Sequence, residues 1–264
     1  RIDSAAADVV LVNDDFDKVV EVEVLALNGT GQQAVTLGAN TDVAFEDGIE
    51  ITTLANASGL NLDGSSSQVK VTAVGTDNND TIAGGAEADD LSGGKGSDII
   101  SGGAGDDRLL GEDGADLFIV EAASDHGAGE TITGGAGSDT IRFTSTTANE
   151  TLTLSANVTD ADDVLNVAIS DADGLATGTT ALNVTAANLT GALAVNLSGN
   201  DGANQLTGTA NVDTISGGNG ADTIVGGAGD DQLAGGNDAD VFIIAAAGHH
   251  GANETLTGGA GSDT

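Results

Sequence analysis

Large apolar residues recur at every ninth position in two stretches of the chain, with glycines and acidic residues at fixed places between them. In residues 75–142 and 199–264 the unit reads Gly-Gly-x-Gly-x-Asp-x-apolar-x. Glycine permits positive φ and close approach of backbones, so six residues of the unit predict a tight turn. The other three predict a short strand whose central apolar residue faces a core. Two units form one coil of about eighteen residues, which predicts thin stacked rungs.

The sixth place of the unit is acidic in nearly every repeat. In the first stretch it holds Asp80, Asp89, Asp98, Asp107, Asp116, Glu130 and Asp139. In the second stretch, at an offset of 124 residues, it holds Asn204, Asp213, Asp222, Asp231, Asp240, Glu254 and Asp263. A five-residue insertion follows the fifth unit of both stretches. Because units two apart stack, Asp80, Asp98 and Asp116 are expected to form one column, and Asp89 and Asp107 another.

The composition calls for cations. The 264 residues include 42 acidic and 6 basic side chains, a formal net charge of −36, so the compact chain should repel itself strongly without bound cations. Calcium takes six to eight oxygen ligands at roughly 2.3–2.6 Å, whereas magnesium demands a tighter octahedron. Stacked carboxylates and turn carbonyls supply oxygen ligands only. The sequence therefore predicts several Ca²⁺ ions in each stretch.

The nonapeptide resembles the repeat of the RTX (repeats-in-toxin) family, over about half of the chain. This resemblance implies an all-β fold, a right-handed parallel β-roll or β-solenoid filled with calcium, and export by a one-step bacterial secretion route. It implies side-chain ligands at Asp80, Asp89, Asp98, Asp107, Asp116, Asp139, Asp213, Asp222, Asp231, Asp240 and Asp263. It implies carbonyl ligands in the turns at Gly84, Gly93, Gly102, Gly217, Gly226 and Gly235.

Several residues depart from the repeat. The sixth place is occupied by Glu130, Asn204 and Glu254 instead of Asp, and the glycine pattern is broken by Glu87, Glu112 and Asp238. Calcium sites at these positions are expected to be weaker or absent.

Four segments follow from these patterns: a β-rich spacer at 1–74, a roll at 75–142, a second spacer at 143–198 and a roll at 199–264 that is incomplete at its C-terminal end. The spacers show alternating strand patterns at 20–24, 69–71, 152–154, 165–167, 182–184 and 193–197. Val69 and Val71 match Leu193 and Val195 at the same offset of 124. The spacers are either wider rungs of one solenoid, which we favour, or separate β-sandwich modules.

Other classes of function find little support. Nucleic acids and anionic membranes need basic patches, which this acidic chain lacks, and its apolar runs are too short for a membrane helix. Cysteine is absent, which excludes disulfides and thiolate metal sites. No catalytic motif is present, so we expect no enzyme. The three histidines, His126, His249 and His250, lie in the insertions and are expected to be solvated loop residues, not transition-metal ligands.

The leading hypothesis is a secreted, extracellular or cell-surface structural protein, part of a surface layer, an adhesin stalk or a fibre stiffened by calcium. The alternative is the calcium-triggered folding and secretion region of an exported toxin or hydrolase. The chain stops inside a unit at 258–264, and joining it to Arg1 restores the repeat with one residue missing. This pattern suggests one period of a longer array, or copies joined end to end; an arbitrary boundary would explain it equally well.

Overall fold

The computed structural model describes residues 9–11, 24–27, 31–37, 48–53, 57–161, 164–171, 173–246, 249 and 251–264. The first half of the chain contains β1 (Val9–Leu11), β2 (Val24–Ala26), β3 (Gln32–Thr36), β4 (Ile49–Thr52), β5 (Gly59–Asp63), β6 (Val71–Val74), β7 (Thr81–Ala83), β8 (Asp90–Lys95), β9 (Ile99–Ser101), β10 (Arg108–Asp113), β11 (Leu117–Val120), a 3-10 turn (Ala123–Asp125) and β12 (Thr131–Ala136). The second half contains β13 (Thr140–Phe143), β14 (Thr151–Thr153), β15 (Val158–Thr159), β16 (Val164–Ile169), β17 (Asn183–Thr185), β18 (Ala194–Ser198), β19 (Gln205–Thr207), β20 (Thr214–Gly218), β21 (Thr223–Val225), β22 (Gln232–Asn237), β23 (Val241–Phe242) and β24 (Thr255–Ala260). Within these ranges we find no helix with the length and apolar character that crossing a membrane requires.

The strands belong to two compact units, each with two parallel sheets. The first unit comprises residues 1–119 and 127–139, and its sheets have the strand orders β1-β3-β5-β7-β9-β11 and β2-β4-β6-β8-β10-β12. The second comprises residues 120–126 and 140–264, with the orders β13-β16-β18-β20-β22-β24 and β14-β17-β19-β21-β23. In the nonapeptide stretches, consecutive strands alternate between the two sheets of a unit, so each pair of repeats forms one coil. The parallel roll predicted from the repeat is confirmed.

The strand register follows the sequence period. Arg108 in β10 pairs with Asp90 in β8, eighteen residues earlier, and with Thr131 in β12, where the five-residue insertion lengthens the spacing. Leu109 lies opposite both Leu91 and Ile132, so the insertion bulges out without shifting the apolar positions. A slip by one residue would turn these side chains to the other face of the sheet, which explains why the period is kept so strictly.

The core is one apolar side chain per repeat. In the first compact unit, the apolar residues at the eighth place of the repeats are at most 2% exposed; these are Ile82, Leu91, Ile100, Leu109, Phe118 and Ile132. In the second compact unit, the eighth-place residues Ile141, Leu206, Ile215, Ile224 and Leu233 are equally buried. Leu256 in β24, at the edge of its sheet, is 39% exposed. Burial of one such side chain contributes about 1.5–3 kcal/mol. Because each repeat buries a single large apolar side chain in its strand, the turns must supply a large share of the stability.

The spacer strands belong to the same parallel ladders as the roll strands. In the first unit β3 pairs with β5 and β5 with β7; in the second, β16 pairs with β18 and β18 with β20, all in parallel. This is the arrangement of wider solenoid rungs, and the strand patterns at 152–154, 165–167, 182–184 and 193–197 lie at β14, β16, β17 and β18. The pattern at 69–71 overlaps β6 only at Val71, and 20–24 lies outside the described residues except for Val24. The four-segment division remains a prediction from the sequence.

Candidate calcium centre

Carboxylates stack into a column along one edge of the first roll. The Oδ1 atom of Asp98 accepts the backbone N–H of Asp80 at 2.8 Å, and Asp116 and Asp139 accept in turn from Asp98 and Asp116, also at 2.8 Å. Each turn is therefore joined to the turn one coil earlier by a charge-assisted hydrogen bond. The predicted column of Asp80, Asp98 and Asp116 is confirmed, and Asp139 extends it.

The opposite edge of the first roll carries the second predicted column. The Oδ1 atom of Asp107 accepts from the N–H of Asp89 at 2.7 Å, and Oε2 of Glu130 accepts from Asp107 at 2.7 Å. Glu130 thus keeps the hydrogen bond of the column even though it replaces Asp and follows the insertion. The strength of a calcium site at Glu130 remains a prediction.

The second roll repeats both columns. One column links Asn204 to Asp222 at 2.8 Å, Asp222 to Asp240 at 2.9 Å and Asp240 to Asp263 at 3.1 Å, always from an N–H to the Oδ1 atom of the next residue. The other links Asp213 to Asp231 at 2.9 Å. Asn204 donates its backbone N–H as an aspartate would, so the departure from Asp leaves this link intact.

The stacked carboxylates are buried, and several of their oxygens receive no hydrogen bond. Ten of the eleven predicted side-chain ligands are at most 2% exposed, and Asp263 is half-buried. The Oδ2 atoms of five receive no hydrogen bond within the described part of the chain; these belong to Asp98, Asp116, Asp222, Asp231 and Asp240. A buried carboxylate oxygen without a partner is strongly disfavoured, so these atoms require a cation or a proton.

Backbone carbonyls lie close to the side-chain oxygens at the sixth place. A Cβ atom added to Gly217 would lie 2.1 Å from Oδ2 of Asp222 and 2.6 Å from the carbonyl oxygen of Gly235, one coil further along. The same arrangement places the carbonyl of Gly102 beside Asp89, and that of Gly226 beside Asp213. The carbonyl of Gly93 lies beside Asp80 and that of Gly217 beside Asn204, whereas the Gly84 carbonyl faces Gly64 in the spacer. Each first-place glycine therefore leaves an oxygen-lined space that any side chain would fill.

Burial raises the pKa values of the stacked carboxylates. Desolvation raises the pKa of Asp98 and of Asp222 to about 7, and that of Asp89 and of Asp116 to about 6, against the opposing effect of the N–H donors. Neighbouring carboxylates raise these values further, for example Asp116 beside Asp98. The columns therefore hold negative charge at a cost that a divalent cation would remove.

Cationic side chains of the protein give the columns little relief. The described ion pairs are Lys95 with Asp77 at 3.4 Å and Arg108 with Asp90 at 2.8 Å, and all four side chains are more than a third exposed. Such surface pairs stabilise a protein by about 0–1 kcal/mol. Lys70 lowers the pKa of Asp89, but as the smallest of the causes acting on that group. Neutralisation must come mainly from ions in solution.

The donor set fits calcium. Its members are carboxylate and carbonyl oxygens, the ligands that Ca²⁺ prefers. The unpartnered Oδ2 atoms of Asp116, Asp222 and Asp240 each lie close to a glycine carbonyl oxygen, those of Gly134, Gly235 and Gly258. No group of three or more His, Cys, Asp or Glu side chains is placed to hold a metal among the described residues. A site in this roll would therefore draw on backbone carbonyls for most of its ligands.

Substitution of Gly217 by Ala tests this space. The new methyl group would clash with Oδ2 of Asp222 and the Gly235 carbonyl, so we expect a loss of stability of about 1–3 kcal/mol and weaker calcium binding. Gly191→Ala is the control, because Gly191 has φ +80° and no atom within 4 Å of the added Cβ. It should cost about 1 kcal/mol through backbone strain and leave calcium binding unchanged. Calorimetric titration that shows equal calcium binding by both variants would contradict this geometry.

Two departures from the glycine pattern strain the backbone. Glu112 has φ +76° and Asp238 φ +75°, in the left-handed region that favours glycine. Glu112→Gly is therefore expected to raise the free energy of unfolding by about 1 kcal/mol. Glu87→Gly, at a departure outside the left-handed region, should bring no gain. Urea denaturation in calcium measures both, and equal effects of the two changes would contradict the assignment.

The expectation that the loop histidines are solvated is wrong for His126. This side chain is 5% exposed, and its Nε2 atom accepts the N–H of Ser155 at 3.2 Å. Burial lowers the pKa of His126 to about 4, so the imidazole is neutral. The imidazole packs inside the second unit because the 3-10 turn before it folds the insertion back over the strands. His249 is half-buried, and His250 lies outside the described residues.

Two threonines belong to the columns although the repeat gave them no role. The hydroxyl of Thr76 donates to Oδ1 of Asp80 at 3.1 Å, and that of Thr209 to Oδ1 of Asp213 at 2.9 Å. Both replace the second glycine of the unit. A threonine at the second place, four residues before the aspartate, is the sequence feature from which this hydrogen bond could have been predicted.

Comparison with known families agrees with this geometry. The RTX calcium-binding nonapeptide repeat matches residues 74–109, 84–118, 92–125, 127–142, 198–233, 207–242 and 251–264. Comparison with curated proteins gives no match. The matched segments contain the acidic columns, the first-place glycines and the buried apolar positions described above. Through these two blocks of calcium-binding repeats, the chain belongs to the RTX family.

Proposed function

We propose that this chain is a calcium-stiffened structural segment of a secreted bacterial protein, in a surface layer, an adhesin stalk or an extracellular fibre. The observation that carries the proposal is the continuity of spacer and roll: β5 pairs with β7, and β18 with β20, without a change of strand direction. Repeated modules of one ladder suit a stalk or fibre. The role is non-enzymatic, and the same modules would allow copies to join end to end.

Calcium is the ligand that stiffens the rolls under this proposal. Calcium would be bound by the carboxylates that follow the first residue of each column, together with the backbone carbonyls of the first-place glycines. The carboxylates are those of Asp98, Asp107, Asp116, Asp139, Asp222, Asp231 and Asp240. Extracellular calcium modules bind at about 10⁻⁴–10⁻³ M, which matches the calcium available outside cells. With 42 acidic and 6 basic residues, nucleic acids and anionic membranes are not the expected partners.

A second candidate is a region whose folding is triggered by calcium during export of a toxin or hydrolase. The unpartnered, buried Oδ2 atoms favour it, because they oppose folding at the low calcium concentration of a cell interior. The two candidates share calcium binding but differ in the rest of the native polypeptide. A catalytic domain next to the rolls supports export coupling, and further spacer and roll modules support a stalk or fibre.

Electron microscopy of the native, full-length protein in millimolar calcium tests the structural role. We expect filaments, layers or stalks that lose their form in excess chelator and recover when calcium returns. Isolated particles with hydrolase activity in the same polypeptide would contradict the structural proposal and support the alternative.

Substitution inside a column tests calcium binding itself. Asp222→Ala removes the acceptor for the Asn204 N–H and an unpartnered Oδ2 atom, so two stacked sites should weaken at once. Each lost site removes about 2.7 kcal/mol of stabilisation at calcium 100-fold above Kd. Asp263→Ala, at a half-buried residue that accepts at 3.1 Å, should have a smaller effect. Calcium titrations followed by circular dichroism compare them; equal midpoints for both variants and the parent would refute the assignment.

A further inference from the structure

In the first turn of every column, a backbone N–H of the same turn donates to the sixth-place side chain. In these turns an N–H four residues earlier donates to the side-chain oxygen that faces the next coil. The pairs are Thr76 with Asp80 Oδ2 at 2.5 Å, Gly85 with Asp89 Oδ2 at 2.6 Å, Thr209 with Asp213 Oδ2 at 2.5 Å and Asn200 with Asn204 Oδ1 at 2.9 Å. These four residues are the first members of the four columns, two in each roll. The same closure therefore occurs at the start of every column.

Later turns have a different backbone and leave this oxygen without an N–H donor. At the second place of the unit Gly94 has φ +106° and Gly218 φ +109°, whereas Thr76 and Thr209 are outside the left-handed region. The positive φ directs the N–H away from the carboxylate, and Oδ2 of Asp98 and Asp222 receives no hydrogen bond within the described chain. The turn thus has a closed form and an open form, which differ in the φ of the residue at its second place.

The residues one coil earlier explain why a column starts where it does. The N–H of Val71 donates to Oδ1 of Asp89 at 2.7 Å, and that of Val195 to Oδ1 of Asp213 at 2.8 Å. These valines occupy the column position but have no side-chain oxygen with which to bind a cation. The first acidic residue thus has no carboxylate neighbour on that side.

Asn204 shows that a first member does not need a charge. Its Oδ1 atom accepts the Asn200 N–H as an aspartate oxygen would, and its Nδ2 atom donates to the Leu182 carbonyl at 2.7 Å. A neutral amide therefore fills the position with all its polar atoms paired. Because the Nδ2 group of Asn204 is a donor, this side chain also offers one oxygen fewer to an ion than an aspartate would.

We propose that the first side chain of each column is a calcium-independent cap, closed by the backbone of its own turn, and that ions are held from the second turn onward. The proposal rests on calcium binding by the columns and divides the acidic residues of the repeat into two classes. The caps at Asp80, Asp89, Asn204 and Asp213 present an ordered edge on which the calcium-dependent turns stack. The Gly93 carbonyl lies beside Asp80 as in the later turns, so the carbonyl does not separate the two classes, whereas the N–H closure does.

Paired Asp→Asn substitutions in the full chain test the caps. Asp80→Asn and Asp213→Asn give caps the amide that Asn204 carries naturally, whereas Asp98→Asn and Asp222→Asn neutralise second members. Equilibrium dialysis should find the parental number of bound calcium ions in the cap variants and the loss of one or more ions in the others. Loss of ions from a cap variant equal to that of its second-member partner overturns the proposal.

The reverse substitution decides the matter if a cap variant does not fold. Asn204→Asp restores the acid of the repeat and should leave the number of bound ions unchanged, because Asn200 still closes the turn; an added ion overturns the caps. If the parent chain binds no calcium in the same dialysis, the proposed function fails. Calcium binding by the parent with ions lost from the cap variants refutes the caps alone.

Discussion

Removal of calcium by excess chelator is expected to abolish most of the parallel-strand signal in far-UV circular dichroism. The buried Oδ2 atoms of Asp98, Asp116 and Asp222 then face neighbouring carboxylates without a cation, inside a chain of net charge −36. Each independent site lost removes about 2.7 kcal/mol at calcium 100-fold above Kd, and several such losses exceed the stability of an ordinary domain.

The matched control is return of a different divalent ion. Magnesium at the same concentration should restore much less of the signal than calcium, because it requires a smaller octahedron and releases water reluctantly. A strand signal that survives in excess chelator at neutral pH would remove the basis for calcium-dependent folding, and full recovery in magnesium would show that charge screening alone is sufficient.

Acidification should stabilise the calcium-free protein. Burial raises the pKa of Asp98 and of Asp222 to about 7, and that of Asp89 to about 6, so the folded chain binds more protons than the unfolded chain above about pH 4. The stability from these groups is fully present below about pH 4 and is lost as the pH rises through about 6–7. In calcium-free buffer, the strand signal in far-UV circular dichroism should be retained at about pH 4–5 and be lost as the pH rises to about 8.

A pair of double variants separates the columns from general charge repulsion. Asp98→Asn with Asp222→Asn removes two of the titrating groups and should flatten the pH dependence. Asp113→Asn with Asp173→Asn changes the net charge equally at exposed positions and should leave the slope near that of the parent. A calcium-free strand signal that increases with pH, or an equal pH dependence for both double variants, would contradict the role of the buried carboxylates.

Most of the fold can be predicted from the nine-residue repeat. A nine-residue period with glycine in the turn and one apolar residue in the strand leaves few alternatives to stacked coils, and the links from Asp80 to Asp98 and from Asp89 to Asp107 follow from that period. The core positions can also be predicted from the sequence, because Leu91 and Ile100 occupy the same place in their repeats and both are buried.

Features that depend on irregular turns, or on packing between residues outside the repeats, could not be predicted from the sequence. The burial of His126 depends on how the insertion folds against Ser155, which no periodic pattern encodes. The closed turns at Thr76 and Thr209 depend on a φ value that the repeat alone does not reveal, since Gly85 adopts the same closed form with glycine at that place. The spacer strands have no fixed period, so their direction became clear only from pairing.

The insertion between β11 and β12 separates loop length from ladder register. Leu109 still lies opposite Ile132 although five extra residues intervene. A turn that absorbs additional chain without moving its flanking strands is a natural position for grafted peptides, tags or reporter groups. The protein could therefore serve as a display scaffold that presents inserted peptides at a known spacing and unfolds when calcium is withdrawn.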